Sequence, residues 1–395
     1  LHLARMKASS RKDFAYAMTP LKIVSWPVGT WPLQDYDIFS AMRGTILLML
    51  MIVQTEMYFD RSDAEKNLDA LLLIACGILA VSKIMWFRIR PAGLISNFTS
   101  AVKDYNDLED QEKRAIMRMH AYMGRVVSGS VIIFAYVATV LFMIVPVLAG
   151  VEEEDIFNVT EESVPDYPMP SEYVMELIKM PDNLYFIVFI IESQEPCLFT
   201  FYHVLGSDSL FFGITFHLCG QVEILKLDFN RLGNENERTM EHFIVLIKRH
   251  IYLLNLAKML NETISSILVV QLFASCILIC TTGFQFILDL SVGNIVMAMK
   301  TFIVLSTLLV QLFAYSYVGE YLKLQMEGVG DSVYFCSWYD IPTSMAKDII
   351  YVIMKSQDPV SLKAGKFFIV NMETYMSILK TSMSYLSVLR VMVNA

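Results

Sequence analysis

The sequence predicts an all-α, polytopic membrane protein with seven transmembrane helices, N-terminus inside and C-terminus outside. Three observations predict it. Hydrophobic residues make up 55% of the 395 and charged residues 18%, with a mean hydropathy of +0.49, too little polar material to clothe a water-facing surface. Seven apolar runs reach the roughly 20 residues that a bilayer core demands. Finally, 24 of the 31 Lys and Arg residues fall on one side of the resulting map, counting Arg43 near the cytoplasmic start of the first span, three fall on the other, and four (Lys83, Lys300, Lys380 and Arg390) lie within spans. The positive-inside rule then orients the chain.

In chain order, residues 1–37 form a cytoplasmic N-terminal segment. Its opening, LHLARMKASSRKDF, is basic and lacks an apolar run, so no cleavable signal peptide is expected. The first four spans occupy 38–219, as Ile38–Phe59, Leu68–Phe87, Val126–Ala149 and Leu184–Cys219. The fourth is too long for one crossing, and its second half, LGSDSLFFGITFHL, is expected to leave the membrane as a continuing helix. Before it lies an acidic outer loop, 150–183, with ten acids, one lysine and four prolines. That loop holds the sequon Asn158-Val159-Thr160, a candidate glycosylation site. Sequons at Asn97 and Asn261 fall on the cytosolic side and are expected to stay bare. A cytoplasmic helical loop, 220–263, leads to spans five and six (264–320), divided as Ile264–Leu290 and Ile295–Glu320. A cytoplasmic segment, 321–366, precedes the last span, Phe367–Val393, within 367–395.

Several function classes are disfavoured. A net charge of −9 speaks against nucleic acid as a partner. The six cysteines show no CxxC pair and read as free thiols. There is no HExxH, GxSxG or Walker loop, and GVGDSV (328–333) lacks the third glycine of a dinucleotide fingerprint. No enzyme, cofactor or metal site is expected. A membrane transporter for a small apolar ligand is the main rival, although repeated halves are not seen. A G-protein-coupled receptor would need the opposite orientation. Glu192, Glu195 and His203 flank Pro196 inside the fourth span. Either they serve function at that depth or they face water drawn in by the proline kink.

The last span, TYMSILKTSMSYLSVLRVMV (374–393), is wet along one side. At about 100° per residue, Thr374, Ser377, Thr381, Ser384, Val388 and Val391 share one arc, spaced as the seam of a left-handed bundle. Small hydroxyl residues also serve ordinary helix packing. Lys380 at the stripe's edge, however, asks for water or a partner near mid-membrane, and the apolar outer end suits a constriction that gates by dewetting. A pore lined by several copies of this helix accounts for both, with Thr381, Ser384, Val388 and Val391 as pore and gate residues.

This segment closely resembles the last helix of insect odorant receptors, and the likeness extends through VYFCSWYDIP (333–342), KDIIYVIMKSQDP (347–359) and LKAGKFF (362–368). Gustatory receptors carry Gln-Phe where this chain has Thr381-Ser382. The shared co-receptor carries a longer loop between spans four and five and a Gln at the position of Val391. The chain thus resembles a ligand-specific tuning subunit. The resemblance implies an odorant-gated, non-selective cation channel in the plasma membrane, a tetramer with the co-receptor, surrounded by lipid, with Met392 joining Val388 and Val391 at the gate. The segments 221–261 and 320–366 would pack into a cytoplasmic anchor, using the amphipathic stretch 345–354 with Trp338 and Tyr339. A small volatile would bind in the outer half of the bundle. Candidate contacts are Leu72, Cys76, Ala138, Leu141, Phe142, Tyr185, Phe186, Phe189 and Ile190, with Phe284, Ile295, Met299 and Phe302 from spans five and six. This aromatic-rich set points first to an aromatic or heteroaromatic odorant.

Overall fold

A computed structural model describes residues 8–26, 30–32, 64–154, 205–232, 239–336 and 343–393. Its helices are α1 (Ala8–Ser25), α2 (Ala64–Ile89), α3 (Ala92–Asp107), α4 (Gln111–Glu154), α5 (Leu205–Asn230), α6 (Thr239–Val292), α7 (Ile295–Tyr334), α8 (Thr343–Ser356) and α9 (Met372–Val393). A two-stranded antiparallel hairpin, β1 (Lys363–Ala364) and β2 (Phe368–Ile369), precedes α9. The expected first span, the loop bearing Asn158, the start of the fourth span, and Trp338 and Tyr339 lie outside the described residues. Among the described residues, four stretches are long and apolar enough to cross a membrane: Gln111–Leu141, Gly206–Asn230, Met240–Val292 and Ile295–Tyr334.

Packing centres on α5. Its residues are apolar on nearly every side instead of along one stripe, and such a helix belongs in the interior. Phe212, Val222 and Phe229 have no exposed surface, and α1, α3, α4, α6 and α7 all contact this helix. The N-terminal segment contributes α1, an element that hydropathy did not single out. Its Phe14 stands edge-on to Phe98 and Tyr105 of α3, with centroids 6.0 and 5.8 Å away.

Helices α6 and α7 run unbroken for 54 and 40 residues, about 81 and 60 Å at 1.5 Å per residue. A hydrocarbon core is about 30 Å thick, so both project well past it. Much of 220–263 is accordingly helix, the end of α5 and the start of α6. At the α6–α7 turn Gly293 adopts φ +81°, the left-handed conformation that ends a helix without steric cost when no Cβ is present. Asn294 then caps α7 by accepting from the Met297 amide at 3.2 Å.

The hairpin is stapled between the two long helices. Asn261 of α6 accepts the Lys363 amide at 2.7 Å, and the Gly365 amide donates to Ser265 O at 3.3 Å. On α7, a Cβ at Gly319 would stand 2.1 Å from the Val370 carbonyl oxygen, so only glycine lets the strand exit pass. The sequon asparagines are engaged elsewhere: Asn261 in this staple, Asn97 in hydrogen bonds to Gly93 O and Leu256 O.

Helices α3, α5 and α6 also meet at a buried carboxylate. Asp104 accepts from Arg249 at 2.7 Å, from Ser100 at 3.1 Å, and lies 3.2 Å from His217 Nε2. Burial alone would raise its pKa, but the His217 hydrogen bond and the His217 and Arg249 charges outweigh that and hold it below the ordinary 3.8. A depressed carboxylate contributes stability that is present above its unfolded pKa and lost as pH falls through the folded one. Thermal melts of the detergent-purified chain should therefore decline as pH drops below about 4. Asp104→Asn should melt lower at neutral pH and show a shallower acid limb; superimposable curves would exclude this role.

Candidate functional site

Three helices converge on one carboxylate inside the apolar bundle. Asp208, on the first turn of α5, is 1% exposed. Lys83 of α2 donates to its Oδ1 at 2.6 Å. From α7, Gln311 Nε2 donates to Oδ2 at 2.7 Å and the Tyr315 hydroxyl to Oδ1 at 2.5 Å. The Tyr315 ring stacks on Phe211 with centroids 5.5 Å apart, and the Lys83 ammonium sits 5.6 Å from its centre. A void of about 10 Å³ adjoins Lys83, Ser207, Asp208 and Tyr315, space for one water at most.

The chemistry explains the convergence. Either charge alone would carry a desolvation cost of several kcal/mol, and the pair is tolerable only when its remaining lone pairs and protons are met. Here two further donors meet the carboxylate, so sliding α2 or α7 against α5 breaks a buried bond. Leu72 and Cys76, both half-buried against the core, share the α2 face of Lys83, since 11 and 7 residues return to nearly the same angle. Gln311 and Tyr315 lie about 24 and 30 Å along α7 from Ile295. The cluster thus stands well away from the α6–α7 turn. Lys83 stands out in the sequence as an in-span lysine, whereas Asp208, Gln311 and Tyr315 were not singled out there. The signal was the acid interrupting LGSDSLFFGI, which in an apolar helix requires a cation from elsewhere.

At the α6–α7 turn, Phe286, Leu290, Ile295, Met299, Phe302 and Ile303 line an apolar depression of about 190 Å³. Phe286 and Phe302 meet with ring centroids 5.8 Å apart. Of the expected ligand contacts, the structure brings Ile295, Met299 and Phe302 together here; Phe284 is half-buried and does not line the depression. On α4, Ala138 is buried and Leu141 half-buried. The Phe142 side chain, and Tyr185, Phe186, Phe189 and Ile190, lie outside what the structure describes.

Helix α9 has two faces. Ser382 and Leu386 are buried; the Ser382 hydroxyl oxygen lies 3.7 Å from Cys280 Sγ of α6, and Leu386 fills the space beside Gly283. On the other side Thr381 and Ser384 are exposed, Val388 is 59% exposed and Val391 68%. The hydroxyls of Thr381 and Ser384 donate to the carbonyls of Ser377 and Lys380, at 2.8 and 2.9 Å. These bonds leave lone pairs free without orphaning a donor. Met392 belongs to α9, but its side chain lies outside the description.

Removing one partner of the buried pair should be worse than removing both. Lys83→Met or Asp208→Leu alone should destabilise the purified chain by about 3–5 kcal/mol, the double variant by markedly less. Thermal melting in detergent checks this, and additive losses would show that the two charges do not depend on each other.

Comparison with known proteins follows the same lines. The 7tm Odorant receptor family model matches residues 63–383. Odorant receptor 9a of Drosophila melanogaster is 28% identical over 186 residues, 46% of each chain. Odorant receptor 10 of Aedes albopictus is 18% identical over 312 residues, 76% of this chain and 78% of that one. The chain spans a little under half the length of the Drosophila relatives it matches. The solved insect olfactory receptor OR5 from Machilis hrabei, in complex with eugenol, superposes with a TM-score of 0.72 at 13% identity, covering 98% of both chains. With four-fifths of its length inside the family match and the same fold over nearly all of it, this chain belongs to the insect seven-transmembrane odorant receptor family.

Proposed function

We propose that this chain is the ligand-specific subunit of an odorant-gated, non-selective cation channel. It works as a tetramer with the shared co-receptor in the plasma membrane, N-terminus inside and C-terminus outside. The observation that carries this reading is the two-faced α9. One face is packed against α6, while the face with Thr381, Ser384, Val388 and Val391 is exposed in the single chain. Copies of α9 around an axis would turn that stripe onto a shared path, wet at the hydroxyls and constricted by dewetting at Val388, Val391 and Met392. The end of α5, the start of α6 and the end of α7, within 221–261 and 320–334, form the cytoplasmic anchor with α8 and the hairpin.

The odorant is a small, mostly apolar volatile, aromatic in the first instance, bound in the outer half. Ile295, Met299 and Phe302 are supported as contacts by their convergence at the depression; Leu72 and Cys76 are supported by sharing the α2 face that ends at Lys83. That the Machilis receptor was solved with eugenol supports the ligand class. Opening follows from the difference in affinity between open and closed forms. Moving from 1% to 99% open takes about 5.5 kcal/mol of such difference, so a small odorant opens the channel partially.

Co-expression with the co-receptor should give odorant-evoked cation current reversing near zero. Silence across a broad volatile panel, with surface expression verified, would sink the channel reading. Val391→Gln should change basal or evoked current, since an amide at a dewetting ring admits water. Met299→Ala and Phe302→Ala should each raise the half-maximal concentration of an agonist about tenfold, the loss expected for one well-buried apolar contact. Unchanged potency in both would move the odorant site elsewhere.

A further inference from the structure

We propose that Ser9 is a phosphorylation site whose phosphate is received by an arginine ladder on α4. The proposal rests on the cytoplasmic placement of the N-terminus in the preceding reading.

The ladder is set by helical spacing. Arg114, Arg118 and Arg125 lie on one side of α4, and each meets a residue about one turn further along α1. Arg114 Nη2 donates to Ser9 Oγ at 2.8 Å and to Ser10 Oγ at 3.2 Å. Arg118 pairs with Asp13 at 2.6 Å. The Arg125 guanidinium covers the Tyr16 ring at 4.3 Å. Asp13 is the carboxylate these arginines share, with its Oδ2 4.0 Å from Arg114 Nε. On the neighbouring turn Asp110 and Glu112 are engaged by Arg231, and Glu109 is not free either. Exposed Arg11 and Lys12 add further positive charge on α1 itself. At Ser9, then, a guanidinium already within hydrogen-bond distance faces a neutral hydroxyl.

A phosphate suits that position. Phosphoserine carries about −1.5 to −2 charge at pH 7 and three strong acceptors, and opposite an Arg cluster it forms charge-assisted bonds that dock the segment bearing it. It would repel Asp13, and Arg11, Lys12 and Arg114 offset that. The surrounding residues, Lys7-Ala8-Ser9-Ser10-Arg11, place a cation two positions before and two after the hydroxyl, the charge pattern that a basophilic serine kinase reads. Ser9 is exposed, whereas Ser10 is 1% exposed, so the surface selects between the adjacent serines. In the transfer, Ser9 Oγ forms a bond to the γ-phosphorus of a kinase-bound nucleoside triphosphate. The bond from that phosphorus to the β–γ bridging oxygen breaks, nucleoside diphosphate leaves, and the hydroxyl proton passes to the kinase's catalytic carboxylate. The consequence is a tighter α1, and α1 packs directly on the central helix α5.

The test uses the full-length purified chain, a basophilic serine kinase and labelled ATP. Mass spectrometry should find phosphate on Ser9, absent from Ser9→Ala and retained in Ser10→Ala. Hydrogen exchange at the first turns of α1 should slow about tenfold on phosphorylation. In Arg114→Gln that slowing should vanish while labelling persists. Label confined to Ser10, no label, or a Ser9 phosphate that leaves exchange unchanged overturns the proposal. So does capture of phosphoinositide vesicles by the Arg ladder of Ser9→Ala when the wild-type chain takes no label, which would assign the ladder to lipid. Protease access to an N-terminal tag in intact cells, and odorant-evoked current from Ser9→Ala, report the orientation and the channel separately.

Discussion

A charged group that cannot reach water must be met from within the protein, and α5 is where that constraint bears hardest. The helix has neither a lipid face nor a solvent face over most of its length, so each polar side chain it brings inside dictates a neighbour. Asp208 calls Lys83 from α2 and both Gln311 and Tyr315 from α7. Two and a half turns on, His217 meets Asp104 of α3, and Gln221 accepts from Arg249 of α6 at 2.6 Å. Dispersion and the hydrophobic effect alone would let these helices slide, because apolar surfaces are nearly interchangeable. The polar contacts are directional and remove that freedom.

The same logic separates the parts of the molecule that hold still from those that can move. Helix α9 is fastened firmly where it begins. Asn371 accepts the Thr374 amide at 2.9 Å, the Thr374 hydroxyl donates to Ile369 O at 2.5 Å, and Tyr375 and Ile378 pack on the core. Ser382 and Leu386 are buried further along, and past Leu386 the described side chains, Ser387, Val388, Arg390 and Val391, are exposed. A helix anchored at one end and lightly packed at the other has its low-stability turns at the free end. In the channel proposed above, that is where the constriction would give way. At the opposite extreme α6 and α7 are continuous rods tied together by the hairpin, able to carry a small displacement at the Gly293 turn to the far end without absorbing it.

In the channel proposed above, the ligand depression and the gate would be coupled through α7 and the Asp208 node. The aromatic depression borders the start of α7, the node grips its middle, and the Gly319–Val370 contact passes its position to the chain entering α9. A displacement at one of these points must be accommodated at the next, since the intervening packing offers discrete arrangements rather than continuous slack.

Much was legible in the linear chain because it depends on local quantities. Apolar run length marks which segments are able to enter a bilayer, the asymmetry of Lys and Arg gives an expected direction, and a 3–4 spacing puts Thr381, Ser384, Val388 and Val391 on one side of a helix. The chain alone determined that these four share a face, and it placed Lys83 inside an expected span, where a lysine requires an answering group. It did not say which group answered, because Asp208 is 125 residues away and only helix packing brings the two charges within 2.6 Å. Nor did it show that α1 docks on the bundle, or that Met299 and Phe302 meet Phe286 whereas Phe284, two residues earlier on α6, points elsewhere. Periodicity names a face and leaves its partner open; the partner is decided by which surfaces can be buried together with no polar atom stranded.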